Sequence, residues 1–375
     1  MYGLVPPHSG HRARVGVRSD SVHVGISLLT LAPGNGGSSE ASARTLLRTF
    51  ASGRTLDYTV LVPPKARDVG AGLPAIEVHP PPADRRGPAR LLSWALSAVR
   101  SRELNARLPR LDVLHYALTA PVPSTEAPTV VTLNAAQHRD LPELAGPAQR
   151  SLRRAAYDRA AKGAAAVVVE SEFVRARAVE ALGLDPARVH VVPAAIDHEV
   201  FRPGGEEREP FLLYPARPWP HKNHTRLFEA FAVLRQTRPR LRLVLTGAGL
   251  DRLDPLPEGV ERWGVVSQER LTSLYRRAAC LVYPSLYEGF GLPPLEAMAS
   301  GCPVAASNAG AVPEVCGDAA VLFDPSDPEA IAAAILDADS RADELRELGF
   351  ARAARFTWAE TARGHEAVYR AAAAA

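Results

Sequence analysis

The stretch densest in chemistry runs from Tyr283 to Val304, YPSLYEGFGLPPLEAMASGCPV. Two carboxylates, Glu288 and Glu296, frame a segment carrying Gly289, Gly291, Pro293 and Pro294. Glycines let backbone approach a ligand closely. The prolines suit a first helical turn, where a missing N–H costs little. Gly301 suits the helix end, and Pro303 follows as a stop. The pattern therefore puts Glu288 in a loop after a strand and Glu296 in the first turn of a helix. Free N–H groups at the positive helix end then face a cleft, a place for a phosphate. Two carboxylates beside it suit polyol hydroxyls. An isolated E-x7-E would more often be one capping and one turn glutamate.

A second cluster is basic. Arg217 and Lys222 stand five residues apart in Ala216-Arg217-Pro218-Trp219-Pro220-His221-Lys222, directly after an apolar run at Phe211–Tyr214. A lone R-x4-K is ordinarily a solvated loop. The Gly34–Ser39 segment, with Gly36 and Gly37, lies at a strand-to-helix turn whose N–H groups can face an anion. Gly247 and Gly249 follow another strand, but no complete G-x-G-x-x-G stands there. Asp337 and Asp339 spell D-x-D, yet they sit in an Ala-rich helical pattern, so no metal is expected. The basic stretch Arg150, Arg153, Arg154, Arg159 and Lys162 fits a solvated helix face better than a membrane contact.

The elements that must position these residues alternate throughout. Short β-branched runs, among them His23–Leu28, Tyr58–Val62, Thr129–Leu133, Arg242–Thr246 and Cys280–Tyr283, are separated by Ala/Leu/Arg-rich helical segments. Such alternation gives βαβ units and parallel sheets. The charged, breaker-rich stretch 201–210 is the linker candidate. Expected units are a flexible tail at 1–20, a first domain at 21–200, a second at 211–350 and a terminal helix at 351–375. The final Ala371–Ala375 is expected to fray. Ligands of two doubly wound domains belong at the carboxyl ends of their strands, in the cleft between them.

Composition leaves this open and closes other routes. The 375 residues allow two to three domains. A hydrophobic share of 46% and a charged share of 23% exclude global disorder and coiled coil. Lys plus Arg number 44 against 41 acidic residues, a balance that points away from nucleic acid. Cys280, Cys302 and Cys316 have no metal-type spacing and suggest buried thiols in a reducing compartment. No apolar run is long enough to span a membrane, and residues 1–20 lack a signal core. The expected location is cytoplasmic.

The whole pattern resembles the retaining GT-B-fold glycosyltransferases of the family-four type, the family that contains bacterial mannosyltransferases. Its E-G-F-G-x-x-x-x-E motif stands intact from Glu288 to Glu296, and the likeness covers about residues 22–370. The resemblance implies two Rossmann-like domains facing a cleft, with the terminal helix crossing back to the first. It implies that Glu288 contacts the donor sugar and Glu296 the ribose hydroxyls. The backbone of Phe290, Gly291 and Leu292 would meet the sugar or diphosphate. Arg217 and Lys222 match the pair that holds the diphosphate, where cations stabilise the charge of the departing group. Gly36 and Gly37 would face diphosphate or acceptor, and Gly247 the nucleotide base.

One departure matters: Asn134 stands where many members carry a His near the reacting sugar carbon. Asn can hydrogen-bond a sugar hydroxyl but cannot exchange protons at neutral pH. His138, four residues on, is either an acceptor-side substitute or an ordinary loop histidine. A smaller departure is Ala194-Ala195-Ile196-Asp197, where members usually read Asn-Gly-Val-Asp. The implied activity is transfer of a hexose from a nucleotide-diphosphate sugar, with GDP-mannose the first guess. The acceptor is a glycan, a lipid or a small molecule. Neither cofactor nor metal is implied, and contact with the inner membrane face would be weak and peripheral. The rivals are a non-catalytic nucleotide-sugar-binding protein and a nucleotide-sugar epimerase of the same architecture.

Overall fold

The computed structural model describes residues 21–31, 38–53, 55–78, 108–119, 125–144 and 154–375, with 121, 146, 150 and 151. The tail at 1–20 and the turn glycines Gly36 and Gly37 lie outside the described residues.

The first sheet collects the valine-rich runs of the first half. Its strands are β1 (His23–Ser27), β2 (Asp57–Val62), β3 (Ala75–Glu77), β4 (Val113–Tyr116), β5 (Thr129–Thr132), β6 (Ala166–Val169) and β7 (Val189–Val191). Their order is β3-β2-β1-β4-β5-β6-β7, and every ladder is parallel. Parallel strands are covered on both faces and so read as continuous apolar runs. Val24, Val60, Val113, Val130 and Val167 are all fully buried. Helices α1 (Ser38–Gly53), α2 (Gln137–Asp140), α3 (Arg159–Gly163) and α4 (Glu172–Leu182) belong to this half. The edge strand β3 was not expected from the sequence. It is three residues long and ends on a charged Glu77, too short for alternation to show.

The second sheet repeats the plan with β8 (Glu209–Pro215), β9 (Arg242–Thr246), β10 (Val260–Gly264), β11 (Ala278–Tyr283), β12 (Val304–Ser307) and β13 (Val321–Phe323). The order is β10-β9-β8-β11-β12-β13, again all parallel. Around it lie α5 (His224–Thr237), α6 (Gln268–Arg277), α7 (Leu292–Ala299), α8 (Val312–Cys316), α9 (Pro328–Ser340) and α10 (Ala342–Ala353). Strand β8 opens at Glu209, inside the stretch read as linker, and Phe201 at its other end is buried in the core. Residues 202–208 between them form neither strand nor helix. All three cysteines are buried thiols.

The last helix, α11 (Trp358–Ala374), packs on the first sheet rather than the second. Tyr369 places its hydroxyl 2.7 Å from His115 Nδ1 of β4, and Tyr58 of β2 donates to Glu366 at 3.0 Å. The alanine-rich end does not fray. Helix α11 continues to Ala374, and Ala372 is buried among the residues under β1 and β2. A small side chain suits so close a helix–sheet contact.

Both strand orders reverse once, between β1 and β4 and between β8 and β11. Loops leaving such a switch point diverge and open a crevice for a ligand. In the second sheet, the loops leaving β8 and β11 are the ones that carry Arg217, Lys222 and Glu288.

Candidate functional site

The two motifs of the second half meet. Lys222 Nζ lies 2.5 Å from Glu288 Oε1, with side chains only 13% and 14% exposed. It also lies 3.3 Å from the Tyr283 hydroxyl and 5.3 Å from the centre of that ring. Burial alone would push the Glu288 carboxyl up. The Lys222 ammonium, with hydrogen bonds from Lys222 and Ser285, outweighs it and holds Glu288 below the usual carboxylate range. Glu288 is thus an anion beside a cation in a largely dry site.

Backbone locks keep that pair in register. Tyr214, near the end of β8, donates its hydroxyl to the Lys222 carbonyl at 2.6 Å. Leu286 N–H donates to the His221 carbonyl at 2.8 Å. Asn223, at φ 59°, starts α5 and sends Nδ2 to the carbonyls of Pro284 (3.0 Å) and Pro325 (2.7 Å). Asparagine tolerates this left-handed conformation better than most side chains. Three loops, after β8, β11 and β13, are thereby tied at one point. Arg217 lies on the same loop, half-buried, its guanidinium 5.6 Å from the centre of the Trp219 ring.

Helix α7 begins at Leu292, with Gly291 at φ 121° as its N-cap. That conformation favours glycine. Pro293 and Pro294 carry no N–H, so Leu292 alone offers a donor within the first three helical positions. Glu296 is the fifth residue of the helix, not in its first turn as expected, because the helix already starts at Leu292, one residue before the prolines. It is hydrogen-bonded by the Tyr275 hydroxyl of α6 at 2.8 Å. Burial pushes its carboxyl up to about 7, with the Tyr275 bond pulling the other way. Phe290 is buried. Gly247 packs against the Ala216 carbonyl, where a Cβ would sit at 3.0 Å. Its missing side chain serves that backbone contact directly.

The first half supplies the opposing wall. Asn134 follows β5, and its carbonyl oxygen lies so close to Gly289 that a Cβ there would collide with it. Tyr287 donates to Asp140 Oδ2 at 2.9 Å and accepts from Ala136 N–H at 3.3 Å. Ser171 caps α4 and also donates to the Gly289 carbonyl at 2.7 Å. The Glu314 carboxylate of α8 accepts from Glu172 N–H (2.8 Å) and Phe173 N–H (3.0 Å) at the start of α4. The structure thus brings Asn134 to the Glu288–Phe290 loop. His138 is held differently: its side chain is 1% exposed, with Nε2 2.8 Å from Asp158 Oδ1. In this arrangement the ring braces the loop and presents no atom to a ligand.

Tyr283, Tyr275, Ser171 and Glu314 are the site-building residues that the motifs did not single out for these contacts. The two tyrosines sit at or near element ends, the one signal available in the sequence. Asp339 pairs with Arg238 and Asp337 with Arg341. Among the described residues, no group of three or more His, Cys, Asp or Glu could hold a metal ion. No helix of the described residues is long and apolar enough to cross a membrane. From the basic stretch, Arg154, Arg159 and Lys162 are exposed.

Comparison with known proteins adds sequence and fold likeness. Residues 36–200 match the model "Glycosyltransferase Family 4", and residues 196–349 match "Glycosyl transferases group 1". O-antigen chain mannosyltransferase B of Escherichia coli is 43% identical over 162 residues, 40% of this chain and 42% of that protein. The MMP alpha-(1->4)-mannosyltransferase of Mycolicibacterium hassiacum is 35% identical over 204 residues, 50% of this chain and 49% of that one. The chain thus spans about half the length of the curated relatives it matches. Sucrose-phosphate synthase from Thermosynechococcus elongatus superposes with a TM-score of 0.76 at 20% identity, over 93% of this chain and 98% of that one. The two facing parallel-sheet domains are the GT-B fold.

Proposed function

We propose, for a chain that belongs to the family-four type of GT-B glycosyltransferases, that it transfers a hexose from a nucleoside-diphosphate sugar to an acceptor hydroxyl with retention of configuration. The observation that carries this reading is the Lys222–Glu288 contact at 2.5 Å. It joins a cation suited to a diphosphate with a carboxylate suited to a sugar, at the switch point of a doubly wound sheet.

Each residue then has a task. Lys222 and Arg217 take the charge that grows on the departing diphosphate. A fixed cation in a water-poor site stabilises that charge far better than solvent does. Arg217 grips two oxygens, while Lys222 acts as a point charge. Leu292 N–H adds a backbone donor, and Phe290 and Gly291 shape the floor. Glu288 accepts from sugar hydroxyls and holds Lys222 in place before the donor arrives. Glu296 accepts from the ribose, exchanging its bond to Tyr275 for one to a hydroxyl. Gly36, Gly37 and Gly247 complete the donor surface in this proposal. Asn134 orients the sugar but transfers no proton.

Retention through a covalent intermediate needs a carboxylate nucleophile at the anomeric carbon. Glu288 is engaged with Lys222 and is assigned to the sugar hydroxyls, so front-face substitution is the mechanism we favour. The acceptor proton passes to the departing diphosphate oxygen, and no metal takes part. GDP-mannose is the first donor to try, since two relatives are named as mannosyltransferases. Work at the cytoplasmic face, on a glycan, lipid or small-molecule acceptor, completes the proposal. The test is incubation with a donor panel and candidate acceptors, followed by mass spectrometry and NMR of the product. A glycoside with the donor's anomeric configuration is expected. An inverted product overturns the mechanism, and donor conversion with no acceptor at all favours the epimerase.

A further inference from the structure

The residue before Glu288 is anchored in the opposite half of the molecule. Tyr287 sits on the loop after β11, and its side chain is buried. Among the described residues it takes no part in the apolar core around the second sheet. Its ring meets Phe173 of α4 edge-on, with ring centres 5.4 Å apart. Its hydroxyl donates to Asp140 Oδ2 at the end of α2 (2.9 Å) and accepts from Ala136 N–H (3.3 Å). Asp140 is itself fixed: its Oδ1 accepts from Nε (2.9 Å) and Nη2 (2.6 Å) of Arg177 on α4. Burial first, then the Asp140 carboxylate, pushes the Tyr287 hydroxyl up, so it stays protonated and keeps donating.

A tyrosine placed only to fill space would lean on its own sheet. Here ring and hydroxyl both reach across, while the backbone stays with the second half. That backbone is held closely from behind. The Glu288 carbonyl accepts from Ala311 N–H at 3.0 Å, and a Cβ on Gly310 would come within 2.7 Å of the Glu288 backbone. Ala136 lies two residues beyond Asn134, whose carbonyl abuts Gly289. One hydroxyl therefore sets the spacing between the Glu288 carboxylate on one wall and Asn134 on the other. A bond to a carboxylate pinned by a guanidinium is of the short, strong kind. Arg217 and Lys222 come from the separate loop after β8.

We propose that Tyr287 is a positioning residue that, with Asp140, sets Glu288 against Asn134 around the donor's sugar and leaves the hold on the nucleoside diphosphate to the second half alone. The inference rests on the glycosyltransferase reading and adds two residues to that same site. Transfer is sensitive to placement within a fraction of an ångström. An interaction that matters to transfer and not to nucleotide binding lowers turnover without weakening affinity.

Tyr287→Phe and Asp140→Ala test it in the full chain, since they remove the same bond from opposite halves. Two quantities are read: Kd for GDP and UDP by calorimetry, and kcat for nucleotide release from a panel of GDP- and UDP-sugars. In each variant kcat is expected to fall at least about tenfold, the scale of misplacing a reacting group by part of an ångström. Nucleotide Kd is expected to stay within about twofold of the native value. The double variant is expected to be no slower than the slower single one, because both changes delete one interaction. Near-native kcat in both variants, nucleotide affinity lost in step with kcat, or losses that multiply in the double variant would overturn the proposal. A Tyr287→Phe chain that fails to fold leaves Asp140→Ala to decide. An unsubstituted chain that binds no nucleoside diphosphate, or releases none from any of these donors, sinks the glycosyltransferase reading itself. Nucleotide binding and release without the variant effects sinks only this inference.

Discussion

Replacing Lys222 tests the site where its charges are most tightly coupled. In Lys222→Met the chain keeps a side chain of similar length but leaves Glu288 in a largely dry pocket without its cation. Breaking such a pair typically costs about 3–5 kcal/mol if the remaining charge persists. Protonation of Glu288 caps that cost, so the loss must depend on pH. With Lys222 in place, the Glu288 carboxyl is held below its unfolded value. Its contribution to stability is present above the ordinary carboxylate pKa of 4.5 and is lost as pH falls through the lowered value. Without Lys222, burial dominates and the sign reverses: the variant loses stability as pH rises through the raised pKa. The difference in melting temperature between the two proteins should therefore widen from pH 4 to pH 8. Turnover at neutral pH should fall by about 10²-fold or more, the scale of losing one preorganised group at a developing anion. Lys222→Arg should recover stability better than turnover, because a planar fork does not reproduce a point charge. The assays are thermal melts across pH and nucleoside-diphosphate release. A melting difference independent of pH, or near-normal turnover in Lys222→Met, would refute the coupling.

Three further outcomes follow from the geometry. Glu296 is raised to about 7 by burial, so the native chain should lose stability relative to Glu296→Gln as pH rises from 4.5 through about 7, read by melts across that window. Gly289→Ala puts a Cβ into the Asn134 carbonyl, so turnover should drop at least about tenfold, the scale of misplacing a reacting group by a fraction of an ångström, while each domain keeps its core. Circular dichroism with steady-state rates separates the two effects. Glu314→Ala removes two charge-assisted bonds between the domains, about 1.5–3 kcal/mol each at most, and should raise the radius of gyration measured by small-angle scattering. An unchanged radius would show that the Ser171 and Tyr287 contacts suffice.

The parallel strands were legible because burial on both faces gathers apolar and β-branched residues into short runs, as at Thr129–Thr132 and Ala166–Val169. β3 was not, since three residues at a sheet edge carry no pattern. The loops bearing Arg217, Lys222 and Glu288 were legible as glycine- and proline-rich punctuation after strands. Their meeting was not, because it depends on a strand order that brings β8 beside β11. Glu296 slipped deeper into α7 because two prolines can occupy the second and third helical positions as readily as the first. The contacts across the cleft left the weakest trace. Ser171 and Gly289 are 118 positions apart, and Glu314 meets an α4 terminus over 140 positions away. Neither partner has a local reason to be what it is. His138 shows the converse: a histidine near a motif looks chemical until its bond to Asp158 explains it.

The most direct measurement is calorimetric titration of the full chain with GDP-mannose, UDP-glucose and other nucleotide sugars, alongside Lys222→Met. Saturable one-to-one binding of at least one donor is expected, weakened by more than about tenfold in the variant, the scale of a charge-assisted contact. Binding of no nucleotide sugar, or equal affinity with and without Lys222, would contradict it.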